Sequence, residues 1–187
     1  MSTLTVQNIQ GSSSSSNTIN VASGHKITGA AGSIVAPGAV IQFQHVNFSD
    51  TTTITTTGTN YTDITGATIS ITPKFTSSKI FILTDLSNYA SSAGTTYVYS
   101  GIRIVRGSST VVSPLSMSDG NGPYDYGIGT GDTGPQHDTR KNITAYDAPN
   151  TTSAVTYKIQ AAMYAAGSIT FNYTTGTSNL FAMEVAQ

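Results

Sequence analysis

The sequence predicts an all-β protein: a jelly-roll-like antiparallel β-sandwich preceded by an extended N-terminal arm. Three observations carry this. Only 9% of the residues are charged, against about 25% in an average globular chain. Serine and threonine dominate the polar content, while Val, Ile, Tyr and Phe supply the apolar surface. That mixture suits pleated, half-buried strands and lacks the vocabulary of exposed helices. From Val40 onward, short strand-like runs recur between turn signals at fairly regular spacing, as in a sandwich or barrel.

The chain opens with an arm, residues 1–36. In "QNIQGSSSSSNTINVASGHKITG", residues 7–29, the apolar Ile19, Val21 and Ile27 stand at odd positions among polar neighbours, as in a half-buried strand, and Ser12–Ser16 interrupt the extended pattern. A segment this poor in apolar side chains makes no core of its own and needs a partner surface to become ordered. The expectation is an arm that orders against sister subunits or a docking protein, with the five serines giving slack between two contacts.

The body, residues 37–187, is long enough for one sizeable core. Strands are expected at 40–48, 51–57, 67–73, 79–86, 96–106, 110–117, 141–147, 154–164, 169–175 and 180–186, a set about large enough for a jelly roll. The alternation assigns faces: in "ATISITP" Ala67, Ile69 and Ile71 point one way, and Thr68, Ser70 and Thr72 the other. In "SGIRIVR" Ile102 and Ile104 alternate with Arg103 and Val105, which directs Arg103 to water or a neighbouring subunit. Pro73 closing a strand and Asn121-Gly122 are turn signals. The longest stretch read as structureless is 118–140, whose glycines, tyrosines and aspartates resemble a binding loop's vocabulary. A loop without a partner is the alternative.

Net charge is -1, with eight scattered basic residues, which gives no electrostatic footprint for nucleic acid or anionic lipid. Without cysteine, thiolate metal sites and cysteine catalysis are excluded. No apolar run approaches the ~18 residues of a membrane span, so no membrane insertion is expected. "GTGDTG" at 129–134 matches a dinucleotide fingerprint only formally, because no strand–helix unit surrounds it. Asp119, Asp125, Asp132 and Asp138 lack EF-hand spacing, and His25, His45 and His137 form no zinc pattern. No metal, cofactor or catalytic residue is assigned. Serine nucleophiles lack an elbow, and paired carboxylates for sugar cleavage are scarce with Glu184 the single glutamate, so an enzyme is not expected. Asn47, Asn60, Asn142, Asn150 and Asn172 each open an Asn-x-Ser/Thr sequon, which reflects threonine abundance rather than glycosylation.

Three stretches together, "GSIVAPGAVIQ" 32–42, "YTDITGATISITPKFTSSKIFILTDLS" 61–87 and "NITAYDAPNTTSAVTYKIQ" 142–160, resemble the small β-domains of tail-fibre-like structural proteins in tailed phages, especially those of cyanobacteria and other marine bacteria. The resemblance spans most of residues 32–187. It implies a virion protein with a compact jelly-roll-like knob, a homotrimer on a thin N-terminal attachment segment. That role would place the protein on the tail or capsid exterior after assembly in the host cytoplasm. Met1 leads into a polar segment without a signal-peptide pattern, an expectation that agrees with release by lysis. The expected function is host attachment by binding a surface glycan or protein, with Tyr124, Asp125, Tyr126 and His137 as receptor-binding candidates. The alternative is a capsid-attached head fibre or decoration protein.

Overall fold

The computed structural model describes residues 11, 19, 21–29, 34–55, 60–92, 98–112, 124–125, 136–163 and 167–187. The chain divides into two units, Met1–Ile34 and Val35–Gln187. In the first, Ile19, Val21 and Ile27 are all exposed, and no described residue is in a strand. A turn at Ala22–His25, with the His25 amide donating to the Ala22 carbonyl, places Gly24 in the left-handed region. Ser12–Ser16 lie outside the described residues.

The second unit is all antiparallel β, and no described residue is helical. Its strands are β1 (Val40–Phe48), β2 (Thr52–Ile54), β3 (Thr62–Ile71), β4 (Lys79–Ser92), β5 (Val98–Arg106), β6 (Ser109–Val112), β7 (Tyr124–Asp125), β8 (Gln136–Lys141), β9 (Thr144–Asp147), β10 (Val155–Met163), β11 (Gly167–Phe171) and β12 (Ser178–Val185). One sheet of seven strands runs β1-β12-β4-β11-β2, with β8 and β9 also on β4. The other, of five, runs β3-β10-β5-β6 with β7 on β5.

The long strand β4 is the spine of the larger sheet. Along one edge it pairs first with β12 (residues 79–85) and then with β11 (88–92). Along the other it pairs with β9 and then with β8. Its alternation is regular: Ile80, Ile82, Thr84, Leu86, Asn88 and Ala90 are buried, and the residues between them are partly exposed. The inward rows of both sheets share one hydrophobic core, including Ile80, Ile82, Leu86, Ile169, Phe171 and Leu180 from the larger sheet and Ile64, Ile69, Ile71, Ile104, Tyr157 and Ile159 from the smaller. Ala67, Ile69 and Ile71 face inward as their alternation predicts.

Buried polar groups hold the connections. Glu184, fully buried, accepts the Lys74 amide at 2.6 Å and the Phe75 amide at 3.4 Å on Oε1, so it clamps the β3–β4 turn to β12. Gln42 supports it from β1, donating to Glu184 Oε2 (3.4 Å) and to the Thr72 carbonyl (2.9 Å). Glu184→Ala is expected to cost about 2 kcal/mol, since charge-assisted bonds are worth roughly 1.5–3 kcal/mol and the turn amides lose their acceptor. The check is the urea midpoint, which should fall by about 1 M at the usual slopes. Between the sheets, Asp147 of β9 accepts from the Tyr157 hydroxyl of β10 and from Arg106 Nε of β5, both at 2.7 Å. Burial, and then the adjacent Asp147 carboxylate, hold the Tyr157 phenol well above its ordinary pKa.

Two expectations are corrected. The stretch 118–140, read as structureless, contains β7 and most of β8. The strand expected at 67–73 begins at Thr62 and ends at Ile71, because a bulge lets β3 run past Gly66. Gly66 has φ +79°, and a Cβ there would lie 2.9 Å from the Phe48 Cβ. Both the backbone and the space therefore require glycine.

Candidate interaction surfaces

Of the four residues singled out as receptor contacts, three have a described backbone position. Tyr124 and Asp125 form β7 and pair with Tyr99 and Val98 of the smaller sheet. His137 is in β8 and pairs with Ala90 of the larger sheet. Their side chains, and all of Tyr126, lie outside the described residues. Among the described residues no group of three or more metal-ligating side chains forms.

The outer faces of the two sheets differ in chemistry. On the smaller sheet the face is polar and internally bonded. Ser70 and Thr156 hydroxyls lie 2.7 Å apart, and Lys158 Nζ and Gln160 Nε2 both donate to Asp63, at 2.7 and 2.5 Å. Arg103 Nε donates to Gln160 Oε1, and the guanidinium lies 4.3 Å from the centre of the Tyr61 ring. Arg103 is thus on the outer face, as its alternation requires.

The larger sheet's outer face is apolar over much of its area. Antiparallel register lines up Phe43 (β1), Met183 (β12), Phe81 (β4) and Tyr146 (β9) in one row across four strands, and His45, Phe181, Leu83 and Thr144 in the next. Val185 continues the apolar face on one side. On the other the row is Asn47, Asn179 and Asp85. Phe43 and Tyr146 are 56% and 59% exposed, values that belong to unpartnered side chains rather than to a core. The His45 ring stacks on Phe181 at 4.7 Å and 11°, Phe43 tilts against Phe181 at 6.0 Å, and His45 Nε2 lies 3.0 Å from Asn179 Oδ1. Arg140 of β8 grips Asp85 with two bonds, at 2.6 and 2.7 Å, on the polar side.

Sequence reasoning missed this face, although a signal was present. "IFIL" (80–83) and "LFAM" (180–183) are continuously apolar where a strand with one wet side would alternate, and continuous apolar runs mark strands covered on both sides.

Hydrogen bonds from Lys158 and Arg140, respectively, hold Asp63 and Asp85 below the usual carboxylate range. A depressed folded-state pKa contributes stability that is present above the unfolded value near 4 and is lost as pH falls through the folded value. Both pairs are solvent-screened, with Lys158 and Arg140 about half exposed, so the effect is small. The urea midpoint is expected to decline modestly between about pH 5 and pH 2, and Asp85→Asn should flatten part of that decline.

No protein-family model matches the chain, and no curated protein matches it. Among solved structures it is similar to that of infectious bursal disease virus Gx strain, at 13% identity over 87% of this chain and 43% of that one, with a TM-score of 0.39. It is similar also to a mutant VP2 protein of infectious bursal disease virus in derived T=1 particles (14% identity, 87% and 41% covered, TM-score 0.36). A VP2 subviral particle of the same virus gives 13% identity, 87% and 42% covered, and a TM-score of 0.32. The chain spans less than half the length of these chains. Likeness at this level carries no argument about function. The strands and their pairing define the class, an antiparallel jelly-roll-like β-sandwich.

Proposed function

We propose that this chain is a bacteriophage virion structural protein of the tail-fibre-like class, a homotrimeric fibre or knob that contributes to attachment at the host surface. The observation that carries this reading is where four of the nine carboxylates are used. Glu184 fixes a turn, Asp147 ties the two sheets, and Asp63 and Asp85 sit in ion pairs. These groups, which an acid–base catalyst would need free, brace the body instead. The stretches that resemble phage fibre domains fall on β1, β3, β4, β9 and β10, the strands that build this braced sandwich. The arm, residues 1–36, is assigned to attachment, ordering against sister copies or a docking protein of the virion.

In this reading binding is the mechanism, and copies on one particle multiply modest affinities for a surface glycan or protein. Antibody-gold labelling of particles tests the assignment. Label on the tail is the expected result, and label on the shell would instead make the chain a head fibre or decoration protein. Alanine replacements of Tyr124, Asp125, Tyr126 and His137 are expected to reduce adsorption to host cells. Unchanged adsorption would remove those four from the receptor contact.

A further inference from the structure

We infer that the apolar outer face of the larger sheet is where copies of this chain meet. This rests on the oligomeric reading above and adds the surface that builds it. The face is defined by register: Phe43, Met183, Phe81 and Tyr146 in one row, Phe181 and Leu83 in the next, and Val185 at its margin. Four strands about 4.8 Å apart and two side-chain rows about 7 Å apart cover roughly 270 Å² in projection. A standard interface takes about 800 Å² from each partner, with an apolar centre and a polar rim. The apolar rows supply about a third of that area. Asn47, Asn179, Thr144 and the Asp85–Arg140 pair border them as a rim.

Three further features select a second copy as the occupant. The rows of Phe43 and of Phe181 contain no Asp, Glu, Lys or Arg, and Lys79, the neighbour of Val185, stands at the margin, so the centre of a contact between copies buries no unpaired charge. The chain's net charge of -1 gives copies almost no mutual repulsion. The His45 ring stacks on Phe181 at 11°, so each covers one face of the other and neither offers that face to a flat sugar ring. Edges and methyl groups interdigitate with a surface of the same kind. The opposite sheet's outer face, by contrast, already satisfies its polar groups internally.

The chain has no cysteine, which permits a clean proximity test. Thr144→Cys lies in the apolar face's second row and Thr68→Cys on the polar face of the other sheet. Treated with a short bis-maleimide, the full-length Thr144→Cys protein is expected to cross-link to a covalent pair of chains, and Thr68→Cys to stay a single chain. In parallel, Phe43→Asp is expected to convert the oligomer to monomer with unchanged circular dichroism, its side chain being exposed in the single chain. If the wild-type protein is oligomeric but cross-links only through Thr68→Cys, or through neither cysteine, this inference fails and the oligomeric reading survives. The face then belongs to another virion protein or to the N-terminal arm. A monomeric wild type overturns both.

Discussion

Ile69→Asp is expected to prevent the body from folding. Ile69 is 2% exposed and sits in β3 opposite Tyr157 of β10, within the core shared by both sheets. The substitution removes about 1.5–3 kcal/mol of apolar burial and places a carboxylate in the shared hydrophobic core, where Arg106, one strand beyond Tyr157 in the same row, is already engaged by Asp147. An unpaired buried charge costs several kcal/mol more, which together approach the whole ~5–15 kcal/mol stability of a domain. The expected outcome is insoluble protein, or soluble protein without cooperative thermal unfolding. Thr68→Asp, one residue away on the wet face, is the control and should fold. Soluble, cooperatively folded Ile69→Asp protein would show that the face assignment of β3 is wrong.

Asn172→Ala is expected to have the next largest effect. Asn172 is fully buried after β11 at φ +52° and fastens three segments together. Its side-chain nitrogen donates to the carbonyls of Phe48 (3.3 Å) and Asp50 (3.2 Å), and its side-chain oxygen accepts from the Ser178 hydroxyl at 2.6 Å. Its backbone amide reaches the Ser87 carbonyl, and Ser178 Oγ in turn accepts the Ser87 amide. Alanine removes the three side-chain bonds and leaves buried acceptors without donors, at about 1–3 kcal/mol for each orphaned group, so a total near 4 kcal/mol is expected. Asn172→Gly should recover about 1 kcal/mol of this by relieving the left-handed backbone, and that ordering separates the two causes. A urea midpoint lowered by less than about 0.5 M in the alanine variant would contradict the hub. The same burial keeps the Asn172 sequon from serving as a glycosylation acceptor in the folded chain.

Much of the body was legible because its core strands are apolar runs, alternating or continuous, set between turn signals. The runs at 40–48, 96–106, 154–164 and 180–186 became β1, β5, β10 and β12 within a few residues, and 79–86 became the first part of β4. The departures share a physical cause. β3 was read from residue 67 because Ile64 and Ala67, both inward, are three apart across the Gly66 bulge, and a period of two cannot span a bulge. β4 continues past residue 86 on the inward Asn88 and Ala90. Asn88 is tolerated there because it donates to the Thr139 carbonyl and accepts from the Thr139 hydroxyl. β8, "QHDTRK", has no apolar side chain, so no alternation announces it. It is held by its ladder to β4 and by the Asp85–Arg140 pair.

The surface was less legible than the core. Compositional vocabulary directed attention to 118–140, whereas the aromatic face arises only when register sets Phe43, Phe81, Tyr146 and Met183 side by side from four separated segments. Alternation within one strand reports which residues share a face. Which strands are neighbours depends on topology, and no single stretch of the sequence encodes it.

The central claim, a β-sandwich built to assemble with copies of itself, is tested most directly by the native mass of the purified full-length protein, measured by light scattering coupled to size exclusion. Three times the chain mass of 19.4 kDa is the predicted result. A mass equal to one chain at all concentrations would contradict the account.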